Sequence, residues 1–237
     1  RDVAPSRGLG DVYKRQIDER SAIVQVIKEI KAGKQVYALL APSFVGQLGL
    51  KVTPAQVVAA LMKAGFTAVK EVAIGADLTA CREAKELMEK VPSEQKYMTS
   101  SCCPSFVNMI KKHVPAAESK ISQTVSPMVA CGRYVKELNP EAVTVFIGPC
   151  IAKKAEAYAN LDAIDYAMTF EEISCLLAGA DIEADKMQVD EFNSEASLYG
   201  ISFPVTCGVK SAVVNALGDE GKNLKTHYAL SLIHISE

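Results

Sequence analysis

Two cysteine-bearing stretches carry the residues best suited to chemistry. In Ser100-Ser101-Cys102-Cys103-Pro104-Ser105-Phe106 the thiols precede a helical pattern, because Phe106, Val107, Met109 and Ile110 recur at helical spacing before Lys111 and Lys112. N–H groups at a helix start are unpaired and partly positive, so a thiol there ionises more easily and can ligate a soft metal or exchange a proton. The second stretch runs from Val143 to Lys154. Its β-branched and aromatic residues end in Gly148-Pro149, which cannot continue a sheet ladder, and Cys150 follows with Lys153 and Lys154 just beyond. Ligands bind at the carboxyl ends of strands in open α/β sheets, so both stretches are expected to face one crevice.

The elements that position them alternate. Helices are expected over Ile23 to Lys31, Pro54 to Ala64 with Thr53 as cap, Asp77 to Lys90, the residues after Cys103, Pro127 to Leu138, Thr169 to Ala178 and Gly208 to Leu217. Strands are expected over Gln35 to Ala41, Thr67 to Ile74, Lys96 to Thr99, Val143 to Ile147 and Ala163 to Met168. This order predicts an α/β fold with two lobes, each a mainly parallel sheet flanked by helices, meeting at a cleft that holds the site. The lobes span about 17–139 and 140–229, dividing near Asn139-Pro140.

Composition narrows the function. An apolar content of 49% gives ample core, and a net charge of −2 points to no nucleic-acid or membrane surface. No apolar run approaches the roughly 18 residues of a membrane span, and Arg1 to Gln16 lacks the apolar centre of a secretory signal. A cytoplasmic location is expected. The cysteines at 81, 102, 103, 131, 150, 175 and 207 are sparse and odd in number, which favours reduced thiols over a disulfide scaffold. Without a CxxC pair, a ferredoxin run or HExxH, any metal must use ligands far apart in the chain. Residues 1–16 and 230–237 read as non-native adapter scars, with the natural protein continuing beyond them.

The two stretches resemble signatures of the iron-only (di-iron) hydrogenases. Residues 100–106 are similar to Thr-Ser-Cys-Cys-Pro-x-Trp, and Gly148-Pro149-Cys150-Ile151-Ala152-Lys153-Lys154-Ala155-Glu156 is similar to Met-Pro-Cys-x-x-Lys-x-x-Glu. Ala41-Pro42-Ser43 resembles a third segment, and order and spacing agree from about Ile17 to Leu217. The resemblance implies reversible oxidation of H2 to protons and electrons at a 4Fe-4S cubane joined to a di-iron unit with carbonyl, cyanide and a bridging dithiolate, together called the H-cluster. Cys103 and Cys150 would be two of four cubane ligands, thiolates being the soft donors such clusters require. The other two belong to a downstream motif that has no match after Cys150, so this fragment alone is expected to be inactive.

The resemblance also assigns a proton path. Cys102 would relay protons through Glu83, Ser122 and Glu86 to solvent, provided its surroundings lower its pKa. Glu83 and Glu86, three apart, share a helical face, which in isolation reads as an ordinary solvated surface. Lys153 would donate to a cyanide ligand with Glu156 supporting it, Lys154 would be a surface charge, and Pro42, Ser43, Ser126 and Pro127 would line the pocket. Implied partners are ferredoxin or ferredoxin-like accessory domains and maturation proteins, in an anaerobic metabolism.

Departures from the signatures fall at Gly148 for methionine, Phe106 for tryptophan, Ser100 for threonine and Met128 where glutamine is frequent, which implies a divergent branch. Two rival readings are a hydrogenase-like sensory module and a cytosolic iron–sulfur assembly factor. Cys81, Cys131 and Cys175 are expected to be buried packing residues, with core packing the default for Cys207 and a surface position for His113.

Overall fold

The computed structural model describes residues 21–189, 194–223 and 225. The expected scars at 1–16 and 230–237, with His227 and His234, lie outside the described residues. Four parallel strands form one sheet in the order β2-β1-β3-β4: β1 is Val36–Leu40, β2 Ala68–Glu71, β3 Val143–Gly148 and β4 Tyr166–Thr169. All six residues of β3 are buried, because a central strand covered on both faces must be apolar without alternation. Its one hydroxyl is satisfied, Thr144 Oγ1 donating to the Ala163 carbonyl at 2.8 Å.

Helices connect and flank these strands: α1 (Ile23–Lys31), α2 (Pro54–Lys63), α3 (Val72–Lys90), α4 (Pro104–His113), α5 (Pro127–Leu138), α6 (Ala152–Ala159), α7 (Phe170–Gly179), α8 (Leu198–Ile201) and α9 (Gly208–Leu217). Reciprocal capping boxes start α2 at Thr53 and Gln56, and α7 at Thr169 and Glu172. The long helix α3 packs closely on α5. Gly75 permits this, since a Cβ there would stand 2.1 Å from the Pro127 carbonyl oxygen and 2.8 Å from the Cys131 nitrogen. That contact fixes the carboxylates of α3 relative to Ser126 and Pro127.

The α/β class with a parallel, helix-flanked sheet is the one expected. Where a sheet in each lobe is expected, the described strands of both stretches share one. Val36 pairs with Val143 and Leu40 with Ile147, so Asn139-Pro140 is the α5–β3 connection within that sheet. Two short strands alone bury too little surface to stand as a sheet, and joining β1 to β3 makes both central. Two local expectations change. Helix α3 begins at Val72, directly after β2, and Lys96 to Thr99 forms no strand, only a single bridge from Thr99 to Ile121.

Candidate functional site

The neighbouring strands β1 and β3 end together, which brings the Pro42-Ser43 turn and the Cys150 stretch to one edge of the sheet. Beyond the Leu40–Ile147 pair the Ala41 N–H donates to the Ile147 carbonyl at 2.9 Å, so Pro42 and Ser43, in a short 3-10 turn, leave the sheet beside Gly148. Cys150 follows, half-buried, just before α6. Cys103 is the N-cap of α4 with Pro104 at its first position, and it is exposed. Lys153, in the first turn of α6, joins the stretches. Its Nζ donates to the Cys102 carbonyl at 3.1 Å and to Glu156 Oε2 at 2.7 Å.

Behind the cysteines lie two carboxylates one helical turn apart on α3. Glu83 is only 2% exposed and accepts from Ser100 Oγ at 2.8 Å and from the Ser101 N–H at 3.0 Å. Burial nevertheless pushes its pKa up against those donors. Glu86 is nearer solvent. Burial pushes it up too, but the Lys90 ammonium at 2.7 Å, Ser122 Oγ at 2.5 Å, the Gln123 N–H at 2.9 Å and Thr124 Oγ1 at 3.1 Å outweigh burial and hold it down at about 2. Ser122 therefore reaches Glu86, as expected. Among the described contacts none joins Ser122 to Glu83.

Cys102 departs from the expectation of a lowered pKa. Its thiol is buried enough that desolvation pushes it up, the nearby Ser100 hydroxyl only partly opposing this. The Cys102 N–H donates to Ser100 Oγ at 3.3 Å, so Ser100 touches both Cys102 and Glu83.

Ser126, the N-cap of α5, is 2% exposed, and its Oγ has no hydrogen-bond partner among the described residues. A buried hydroxyl without a partner suits a position that donates to a bound group. The free thiols of Cys103 and Cys150 lie on stretches that the Lys153 ammonium joins, and thiolates are the donors an iron–sulfur centre takes. Among the described residues no three His, Cys, Asp or Glu side chains gather as a metal-binding group.

Several readings of single residues change. Lys154 is not a surface charge: it is 7% exposed and pairs with Glu172 Oε2 at 2.6 Å. Glu172 also accepts from the Ala22 and Thr169 N–H groups, so its partner comes from a fold contact that spacing does not reveal. Cys131 is buried, whereas Cys81 and Cys175 are exposed because they point from the outer faces of α3 and α7. Cys207, half-buried, is the N-cap of α9 with φ +63°. A Cβ at Gly148 would lie 2.6 Å from the Phe146 ring and 3.2 Å from Ala41 Cβ, so the ring occupies room that a methionine would need. Sequence reasoning missed Ser100 and Ser101 as partners of Glu83, and Thr124 and Lys90 as partners of Glu86. Only Lys90 carries a signal, being four residues after Glu86 on one helix.

The family described as iron only hydrogenase large subunit, C-terminal domain, matches residues 34–233. Iron hydrogenase 1 of Clostridium pasteurianum is 29% identical, over 87% of this chain and 41% of its own. A cytosolic Fe-S cluster assembly factor of Kluyveromyces lactis is 27% identical, over 58% of this chain and 30% of its own. A variant of the FeFe-hydrogenase of Chlamydomonas reinhardtii shares the fold with a TM-score of 0.69 at 22% identity, covering 81% of this chain and 57% of that one. The chain spans about half the length of the hydrogenases it matches.

Proposed function

The chain belongs to the family formed by the C-terminal domain of iron only hydrogenase large subunits, and from that membership we propose that it is part of a hydrogenase catalytic domain, spanning about 17–229. The activity is reversible oxidation of H2 to protons and electrons, the electrons exchanged with ferredoxin or a ferredoxin-like accessory domain. The observation that carries this reading is the Lys153 bridge, which holds the stretch bearing Cys150 against the one bearing Cys102 and Cys103. Two signatures far apart in sequence thereby serve one place.

Cys103 and Cys150 would hold a 4Fe-4S cubane, with two further thiolates, and maturation proteins would supply the attached di-iron unit with its carbonyl, cyanide and dithiolate ligands. When bound, that cluster supplies the hydrogen-splitting and electron-transfer chemistry. Lys153, oriented by Glu156, would present an ammonium to an anionic ligand, while Pro42, Ser43, Ser126 and Pro127 shape the pocket. Cys102 would carry a proton at Sγ and Glu83 would take it up at its carboxyl, which burial inclines to hold one. Glu86, with Ser122 on one oxygen and Lys90 on the other, would pass it to solvent. Among the described residues no helix is long and apolar enough to cross a membrane, and a cytoplasmic location belongs to the same proposal.

The test is the full-length gene product, matured anaerobically with the di-iron assembly proteins and examined by infrared spectroscopy. Carbonyl and cyanide bands that vanish in Cys103→Ala and in Cys150→Ala are expected. A cubane without those bands would replace this reading with the iron–sulfur assembly factor, which the Kluyveromyces lactis relative supports. Bands with no turnover would point to a sensory module.

A further inference from the structure

Thr124 sits between the two carboxylates and touches both surroundings. Its N–H donates to Ser122 Oγ at 3.1 Å, and its hydroxyl donates to Glu86 Oε2 at 3.1 Å, the oxygen that Ser122 also contacts. Its carbonyl accepts the hydroxyl of Ser101, whose backbone N–H donates to Glu83. One residue thus uses all three of its polar groups to join the Glu86 cluster to the segment that grips Glu83. One turn earlier on α3, Thr79 Oγ1 donates to the Val125 carbonyl at 3.2 Å, so the loop is pinned along α3 on both sides of the clamp.

We propose that Thr124 is a positioning residue for proton transfer, holding Ser122 on Glu86 and, through Ser101, keeping Glu83 in register with them. The inference rests on reading Glu83, Ser122 and Glu86 as a proton path. It also supplies what that path lacks. No contact joins Ser122 to Glu83 among the described residues, and the Thr124 backbone is the element that spans the interval. A threonine suits this place because its methyl limits rotation about χ1, keeping the hydroxyl aimed at Glu86 while the backbone serves the other two contacts.

Thr124→Val keeps the shape and removes only the hydroxyl, and Thr124→Ser keeps the hydroxyl. In the full-length protein the titration of Glu86 is read from its carboxyl infrared band. The charged groups facing Glu86 are Lys90, four residues on, and Glu83, one turn before; Ser122, Gln123 and Thr124 add neutral donors. Losing one donor to the ionised form raises the titration midpoint of Thr124→Val by about half to one pH unit, with Thr124→Ser close to wild type. In the matured protein Thr124→Val slows turnover about threefold to tenfold and enlarges the solvent isotope effect, and Thr124→Ser restores both. If Glu86→Gln abolishes turnover while Thr124→Val alters neither titration nor isotope effect, the assignment of Thr124 is overturned and the path stands. If Glu86→Gln turns over like wild type, the path falls and takes this inference with it.

Discussion

Lys153 Nζ and the Cys102 carbonyl oxygen stand 3.1 Å apart, so a side chain three residues after one cysteine holds the backbone beside another. The same ammonium pairs with Glu156, and both side chains are largely shielded from solvent. Lys153→Met leaves the carbonyl and Glu156 without their donor. We expect destabilisation of about 1–3 kcal/mol in chemical denaturation, more than a surface lysine gives. Equal midpoints for variant and wild type would mean that the bridge holds nothing in solution.

Acid should act on the two carboxylates in opposite directions. Glu86 is held at about 2, below the ordinary 4.5, so folding favours its ionised form; that stabilisation is complete above 4.5 and drains as pH falls through 2. The gap in urea midpoint between wild type and Glu86→Gln should therefore be widest near neutrality and close in strong acid. Glu83 is raised, so folding favours its protonated form, and its contribution declines as pH climbs above 4.5. The wild-type advantage over Glu83→Gln should shrink over that climb. Parallel pH dependence for both variants would contradict the opposed environments.

Much of this architecture is legible in the chain. Helices over Ile23–Lys31, Pro127–Leu138 and Gly208–Leu217 fall where proline, glycine and apolar spacing put them. Val72-Ala73-Ile74 misleads because the first turns of α3 are packed against α5, and a helix largely covered loses its periodicity and reads as a strand. The Lys153–Glu156 and Ser122–Glu86 contacts join residues that the motifs single out. Thr124 and Ser101 are not among them, since their roles arise from a loop folding back along α3, a contact that neither spacing nor residue type announces.

The Lys154–Glu172 pair offers a sharper stability test than any exposed ion pair. Both side chains are nearly buried, and Glu172 also binds the Ala22 and Thr169 N–H groups. Removing one partner of an ion pair this shielded typically destabilises by about 3–5 kcal/mol. Lys154→Met and Glu172→Gln should each be severe. The double variant should lose less than their sum, and strict additivity would show that the two charges do not interact.

Gly148 and Phe146 form a complementary pair of sizes. A Cβ at 148 collides with the Phe146 ring, so Gly148→Met should destabilise by about 1–3 kcal/mol through overpacking. Adding Phe146→Leu should recover part of that loss. If the second substitution deepens it instead, the ring is not what excludes the larger residue.

The pairing of β1 with β3 also dictates an order of events. Val36 must meet Val143, a partner separated by on the order of a hundred residues, before the central ladder exists. During synthesis the segment carrying Cys102 and Cys103 leaves the ribosome well ahead of the strand that completes the centre of the sheet. The thiols therefore spend that interval on an unfinished scaffold, whose central ladder forms only once Val143–Gly148 has emerged.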